Sequence, residues 1–474
     1  MTNRMAILWF RQDLRLDDNP ALLAASRSGL EILPLYIHDD FAPGSWKIGG
    51  ASRWWLHNSL QSLNARLNAR ILFQAGDTRA VLSGLIERFK PAALFYNRCY
   101  EPWNRNLEKN LADLFKRLGI VAQSFNASLL NEPWDIKKSD GTPYSVYTPY
   151  FRASMQKLNE PKRPQNAPDH IRFKEDQDSP PLESLNLLGK TPWYKKLEPL
   201  WSPGEPGARE ALDRFLKNHL KNYAQERDRP DLNATSALSP HLHFGEISPR
   251  RVLWETRKNA ALNKSEGGAE KFISELLWRE FSNHLLHSHP DMAEQPIKAK
   301  FSRMEWRNDK EALAQWKRGQ TGIPIIDAGM RQLWQTGWIH NRVRMIVASL
   351  LVKNLGIDWR EGERWFWDCL LDADLANNAA GWQWVAGCGA DAAPYFRIFN
   401  PVAQARKFDP EGKYIRAFVP ELEKLPTENI FEPWTAPSPI LSAAGVNIGQ
   451  NYPAPIVDLK VSRQKALEAY AQIK

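Results

Sequence analysis

The chain has 474 residues, 43% hydrophobic and 25% charged, with 63 Lys+Arg against 54 Asp+Glu and a formal net charge of +9. At about 150 residues per domain this length holds two or three domains, and the balance excludes a disordered, collagenous or coiled-coil chain as the dominant state. Cys99, Cys369 and Cys388 stand far apart with no C-x-x-C spacing, which supports neither a disulfide framework nor a cysteine zinc site and points to a reducing, cytoplasmic setting. No apolar run approaches the roughly 18 residues of a membrane span. The unusual feature of the composition is tryptophan, twenty in 474.

Up to about residue 150 short apolar runs alternate with amphipathic stretches. Met5 to Phe10, Glu31 to His38, Ala69 to Gln74, Ala92 to Tyr96 and Val121 to Phe125 read as buried strands. Between them Ser52 to Leu67 and Asn104 to Leu118 repeat apolar residues at helical spacing. Such alternation predicts a doubly wound parallel sheet, an α/β domain over residues 1–135. No G-x-G-x-x-G follows the first strand, where Arg11-Gln12-Asp13-Leu14-Arg15-Leu16-Asp17-Asp18-Asn19-Pro20 stands instead, so a Rossmann dinucleotide site is not expected. From Glu160 to Pro206 prolines recur through a polar stretch. That density opposes regular helix, and 136–206 is expected to be a connector wrapping over the surface. From Ala208 helical periodicity dominates, over Ala208–Gln225, Ser248–Ala261, Ala269–His287, Ile325–Gln335, Ile339–Leu355 and Arg360–Leu370. The second domain, 207–474, is therefore expected to be all-α, with a proline-dotted end carrying one short terminal helix.

The polar constellations lie in that helical part. Tyr223 and Thr235-Ser236-Ala237-Leu238-Ser239 place hydroxyls and amides ahead of a helix, where they make either a capping box or a cradle for a phosphate. Glu275, Trp278 and Arg279 share one helix face at i, i+3 and i+4. They either pair at the surface or line a cavity for a flat ligand. Asn341 and Met345 share another face, flanked by Arg342 and Arg344, and residues 301–350 hold eight Lys/Arg against four Asp/Glu. Positive charge beside aromatics suits a nucleic-acid face. Asp372 or Asp374 caps a helix along which Asp374, Asn378 and Trp382 form one stripe, with Ala376, Ala379, Ala380 and Gly381 leaving room beside it. The histidine sets His241-x-His243 and His284, His287, His289 have no Cys or carboxylate to complete them, so no metal is expected.

These residues carry a resemblance. Trp9 to Pro20, Glu275-Leu276-Leu277-Trp278-Arg279-Glu280-Phe281, Thr321 to Arg331, Gly337 to Met345 and Asp372 to Pro401 are collinear with the blocks of the photolyase/cryptochrome family, and the chain resembles a DNA photolyase over essentially its whole length. The resemblance implies an N-terminal α/β domain, a long connector and a helical FAD domain. It implies that Tyr223, Thr235, Ser236, Ala237, Leu238, Ser239, Phe272, Glu275, Arg279, Asn341, Arg344, Asp372, Asp374 and Asn378 hold the FAD, with Asn378 facing the flavin N5.

The implied reaction is light-driven: excited, reduced anionic FAD gives an electron to a cyclobutane pyrimidine dimer, two inter-base bonds split and the electron returns. Glu275 and Asn341 would hydrogen-bond the dimer, Trp278 and Trp384 would stack on it and Met345 would fill the pocket wall. Arg227, Arg342, Arg397 and Gln404 would contact DNA. Trp382, Trp359 and Trp306 match the family's electron-hopping chain. A thioether at Met345 cannot transfer a proton as the histidine associated with six-four repair does, which favours cyclobutane dimers. A blue-light photoreceptor of the cryptochrome type is the alternative. The antenna chromophore is expected to be methenyltetrahydrofolate, with a deazaflavin as the alternative, and the protein is expected to be a cytoplasmic monomer acting on damaged DNA.

Overall fold

The computed structural model describes residues 5–158, 162–174, 179–392 and 394–473. Glu160 and Pro161, at the start of the proline-rich stretch, lie outside them. The chain divides into two compact units, one taking in the described residues of 1–222, 236–290 and 371–373, the other those of 223–235, 291–370 and 374–474.

In the first unit β1 (Met5–Phe10), β2 (Glu31–His38), β3 (Leu72–Ala75), β4 (Ala93–Asn97) and β5 (Val121–Phe125) form one sheet. Its order is β3-β2-β1-β4-β5 and every pairing is parallel. All six residues of β1 are buried, as a central strand covered on both faces requires. Ala6, Leu8 and Phe10 join one apolar cluster with Trp55 and Leu60, while Ile7 and Trp9 join another with Leu82, Leu111 and Phe115. That is the two-residue period of a strand. β3 begins at Leu72 rather than at Ala69, because Asn68 and Ala69 adopt φ of 53° and 58° in a left-handed turn that cannot join a ladder.

The motif in place of the glycine-rich loop holds the unit together. Asn19 caps the helix Pro20–Arg27 by accepting from the Leu22 N–H, and its amide donates to Asp13. Asp13 also takes an N–H from Asn97 at the end of β4. The Arg15 guanidinium, 1% exposed, donates to the carbonyls of Asp17, Asp18, Ala127 and Gly245 at 2.8–2.9 Å. The helix Thr78–Phe89, capped by Asp77, and the helix Tyr147–Lys157 were not distinct in the periodicity.

Beyond residue 161 the proline-rich stretch lies on the sheet: Leu182, Leu185, Leu187 and Leu197 are buried in the cluster with Trp55 and Phe73. Phe173 bridges Ile32 of β2 in parallel, below the point where β3 begins to pair at Leu35. Helices Glu205–Asn218, Pro249–Asn263 and Glu266–Ser288 complete this unit.

The second unit is helical. Pro324–Thr336, Asn341–Ser349, Trp359–Cys369 and Leu375–Ala386 fall where the periodicity placed helices or an N-cap. The helix from Asn341 continues into a π-helical turn, Leu350–Asn354, before Gly356 turns left-handed at φ 68°. The end of the chain differs from expectation. The helix Leu459–Gln472 has 14 residues, and short helices Thr427–Ile430 and Ser438–Ala444 precede it, each with proline just before its first residue. Proline's fixed φ suits a helix start, so proline spacing there marks beginnings rather than irregular chain.

Candidate functional site

In the first unit the helix Glu266–Ser288 carries Phe272, Glu275, Trp278 and Arg279. Glu275 pairs with Lys271 at 3.0 Å, and Arg279 donates to the Ser128 carbonyl at 2.8 Å. Phe272 is buried against Phe215 with centroids 4.5 Å apart. The next residue, Glu280, sets the helix's rotation: its carboxyl accepts from Leu130 N at 2.9 Å and Asn131 N at 3.0 Å. Burial pushes this carboxyl up to about 7, against the pull of Arg279 and those two N–H groups.

The folded chain thus keeps a proton on Glu280 between its ordinary value of 4.5 and about 7, where the unfolded chain has lost it. Stability from this group is full below that interval and is lost as pH rises through it, by about 3 kcal/mol. Glu280→Gln, measured against the native chain by chemical unfolding at pH 5 and pH 8, should gain that amount in relative stability at the higher pH. Parallel profiles would contradict the assignment.

Ala237 has φ 53° and Leu238 sits at φ −84°, ψ −5°, an alternation of left- and right-handed backbone that turns successive N–H groups toward one point. Ser236 Oγ accepts from Leu238 N at 3.3 Å. The helix that follows, Ser239–His243, has five residues, so the local amides outweigh its dipole. Asp372 is buried. His241 pairs with Glu246, and His284 has both ring nitrogens on backbone, at Pro133 O and Tyr144 N, each 3.0 Å. These histidines are occupied in packing. Among the described residues no three His, Cys, Asp or Glu side chains gather into a metal set.

In the second unit Asp374 is the N-cap of Leu375–Ala386, accepting from Asn377 N at 2.9 Å. The helix puts Asp374, Asn378 and Trp382 on one stripe, as the spacing predicts. The Asn378 amide donates to the Glu363 carbonyl at 3.0 Å, which leaves its Oδ1 as the acceptor end. His340 caps Asn341–Ser349, its Nδ1 accepting from Arg342 N at 3.1 Å. It is buried, and burial lowers it to about 4, so the ring is neutral. Asn341 is exposed at the start of that helix. Arg342 pairs with Asp228 at 2.8 Å, lies over the Phe408 ring and points one nitrogen at the Met345 sulfur. Arg344 donates to the Ile339 carbonyl at 2.8 Å.

Tyr223 is buried, with Arg227 over its ring, and Thr235 is half-buried. Trp384 and Gln404 are half-buried and Arg397 is exposed. Trp359 and Trp382 are 1% and 3% exposed, and Trp306 is half-buried. The rings meeting Trp382 edge-on are Phe366 at 5.0 Å and Trp316 at 6.2 Å.

Residues 6–169 match the family model described as DNA photolyase, and residues 272–472 match the FAD binding domain of DNA photolyase. A deoxyribodipyrimidine photo-lyase of Agrobacterium fabrum is 46% identical, over 99% of this chain and 98% of that protein. Cryptochrome-1 of Arabidopsis thaliana is 36% identical, over 99% of this chain and 70% of its own length. The crystal structure of a class III photolyase from Agrobacterium tumefaciens superposes with a TM-score of 0.96 at 45% identity, covering 100% of this chain and 98% of that one.

The chain belongs to the DNA photolyase family. It carries that family's FAD-binding domain, and its residues fit the cofactor. In the first unit the 236–239 turn offers converging N–H groups of the kind a diphosphate takes. In the second, Glu363, whose backbone carbonyl takes the Asn378 amide, has a buried carboxyl raised well above the usual range by burial, with neither oxygen hydrogen-bonded among the described residues. A buried acid in that state suits a bound group carrying its own polar atoms.

The sequence reading missed Gly362. A Cβ there would lie 2.6 Å or less from three ring atoms of Trp382, so glycine is what lets the indole lie against the helix Trp359–Cys369. Gly362→Ala should cost about 1–3 kcal/mol by overpacking. Thermal unfolding of the variant checks this, and an unchanged midpoint would contradict it.

Proposed function

We propose that the chain is a light-dependent lyase that splits cyclobutane pyrimidine dimers in DNA. In this reading Tyr223, Thr235, Ser236, Ala237, Leu238, Ser239, Phe272, Glu275, Arg279, Asn341, Arg344, Asp372, Asp374 and Asn378 hold FAD within a helical domain, 207–474. That domain follows the α/β domain 1–135 and the connector 136–206. Reduced FAD held there would supply, on absorbing light, the electron that splits the dimer, and would recover it afterwards.

The protein's own residues bind and orient. Enzymes that act on a base inside a duplex must bring it out of the stack, and Trp278 and Trp384 offer flat faces for the extruded pair. Glu275 and Asn341 accept from and donate to the base edges, and Met345 closes the wall with an apolar thioether. Arg227, Arg342, Arg397 and Gln404 hold the backbone. Asn378 would present its Oδ1 to the flavin N5. Trp382, Trp359 and Trp306 form the path by which oxidised flavin is reduced.

The observation that carries the reading is the face of Glu266–Ser288: a half-buried carboxylate and a half-buried indole one turn apart, with Glu275 paired to Lys271 and Arg279 donating to the Ser128 carbonyl. Reduced protein mixed with a dimer-containing oligonucleotide should restore thymine under near-UV or blue light and not in the dark. Absence of light-dependent repair would overturn it and leave a photoreceptor, the reading that the similarity to cryptochrome-1 favours.

The antenna is assigned to methenyltetrahydrofolate. A band toward the near-UV that survives flavin reduction is expected, and one nearer the blue would reassign it to a deazaflavin. The protein is taken to work as a cytoplasmic monomer. Among the described residues no helix is long and apolar enough to cross a membrane.

A further inference from the structure

One face of Trp278 is already covered. The ring of Tyr147, first residue of the helix Tyr147–Lys157, stacks on it with centroids 3.6 Å apart and planes 10° apart. The phenol donates to the Ser274 carbonyl at 2.6 Å, with Ser274 Oγ 2.9 Å away. Ser274 is four residues before Trp278 on Glu266–Ser288, so its carbonyl also receives the helical N–H of Trp278. Tyr147 is therefore fixed at both ends to the turn that carries the indole, by its face to the ring and by its hydroxyl to the backbone beneath. Phe281 closes the assembly edge-on, 5.8 Å from Tyr147 and 5.9 Å from Trp278. Tyr147 is 7% exposed, while Trp278 stays half-buried.

This is not ordinary packing. Parallel overlap at 3.6 Å holds both torsions of the indole, because any rotation of Trp278 must break the stack. A ring backed in this way offers a ligand only its other face, in a plane set before binding. The ordering cost of that side chain is then met in the free protein.

We propose that Tyr147 is a positioning residue for substrate recognition: it locks the plane of Trp278, so that the indole receives an extruded pyrimidine dimer in one orientation. The inference rests on the reading of Trp278 as the stacking face. It adds that preference for damaged over intact DNA depends on the ring behind the indole.

The test is dark binding of the FAD-loaded chain to matched oligonucleotides with and without one cyclobutane dimer. Tyr147→Met fills the volume without a flat ring and should weaken dimer binding about 3–10-fold, the worth of an aromatic pair, with little change for the intact strand. Tyr147→Phe keeps the stack, loses the hydroxyl and should stay within about twofold of the native chain. Trp278→Ala is measured alongside. If it weakens dimer binding and Tyr147→Met does not, the positioning role is wrong while the stacking face stands. If Trp278→Ala has no effect, the stacking face itself is wrong. Equal losses for damaged and intact strands in Tyr147→Met, or no rescue by Tyr147→Phe, would reduce Tyr147 to a core residue and overturn the proposal.

Discussion

Trp306→Phe should leave oxidised flavin unreduced under light and external reductant, while chemically pre-reduced protein continues to repair. Indole gives up an electron far more readily than phenyl, and hopping needs an oxidisable ring at each stage. Trp382 and Trp359 are 3% and 1% exposed and cannot meet a reductant in solution directly, whereas Trp306 is half-buried and can. Repair by reduced protein draws no electron along this path, so the two activities should separate cleanly, photoreduction falling to background and repair unchanged. Trp316 makes the experiment sharper. It is buried, its ring is 6.2 Å from that of Trp382, and its indole N–H donates to the Val347 carbonyl at 3.0 Å. Trp316→Phe, followed by absorbance under the same illumination, is the companion variant. Unchanged photoreduction in Trp306→Phe would contradict the assigned chain, and loss in Trp316→Phe alone would move the path to that ring.

Asp327→Ala should cost at least about 3 kcal/mol of stability. Asp327 is fully buried and its two oxygens take four donors: Thr321 N at 2.6 Å, Thr321 Oγ1 at 2.7 Å, Gly322 N at 3.0 Å and Tyr452 O–H at 2.8 Å. Burial pushes the carboxyl up to about 6 despite those donors. Each donor left unsatisfied costs about 1–3 kcal/mol, less whatever relaxation or entering water recovers, so the sum is not additive. The contact also fastens distant chain. The Ile456 N–H donates to the Thr321 carbonyl at 3.0 Å, and a Cβ on Gly322 would fall 2.4 Å from the Ala454 backbone. Losing the carboxylate therefore releases the segment around Tyr452 as well. Asp327→Asn keeps one acceptor and should lose about half as much. Urea unfolding of both variants checks the order, and a loss below about 0.5 kcal/mol in Asp327→Ala, the range of an ordinary surface change, would contradict it.

What the sequence made legible follows from locality. β1, β2 and β4 are apolar runs whose burial needs no partner to be recognised, and the stripe of Asp374, Asn378 and Trp382 needs only a helix; β5 forms where Val121 to Phe125 predicts a strand, but at the sheet edge, with Val121, Ala122 and Gln123 exposed rather than buried. Contacts between residues far apart in the chain left no local mark. Tyr147 and Trp278 meet across more than a hundred residues, and nothing near Tyr147 announces a stack. Gly362 reads as a weak spot in a helix until the indole against it is seen. Prolines concealed the role of the 179–206 segment, although Leu182, Leu185 and Leu187, which bury themselves on the sheet, lie together between Pro181 and Pro192. Arg15 read as part of a motif without a function, and its four carbonyl acceptors explain it as a tie between loops.

The central claim, that an electron is lent to the dimer and returned, is tested most directly by counting turnovers. Reduced protein is illuminated under anaerobic conditions with dimer-containing oligonucleotide in large excess, and restored thymine and flavin absorbance are followed together. The account predicts many dimers split per flavin with the flavin still reduced at the end. Splitting limited to one dimer per flavin with matching oxidation of the flavin, or none at all, would contradict it.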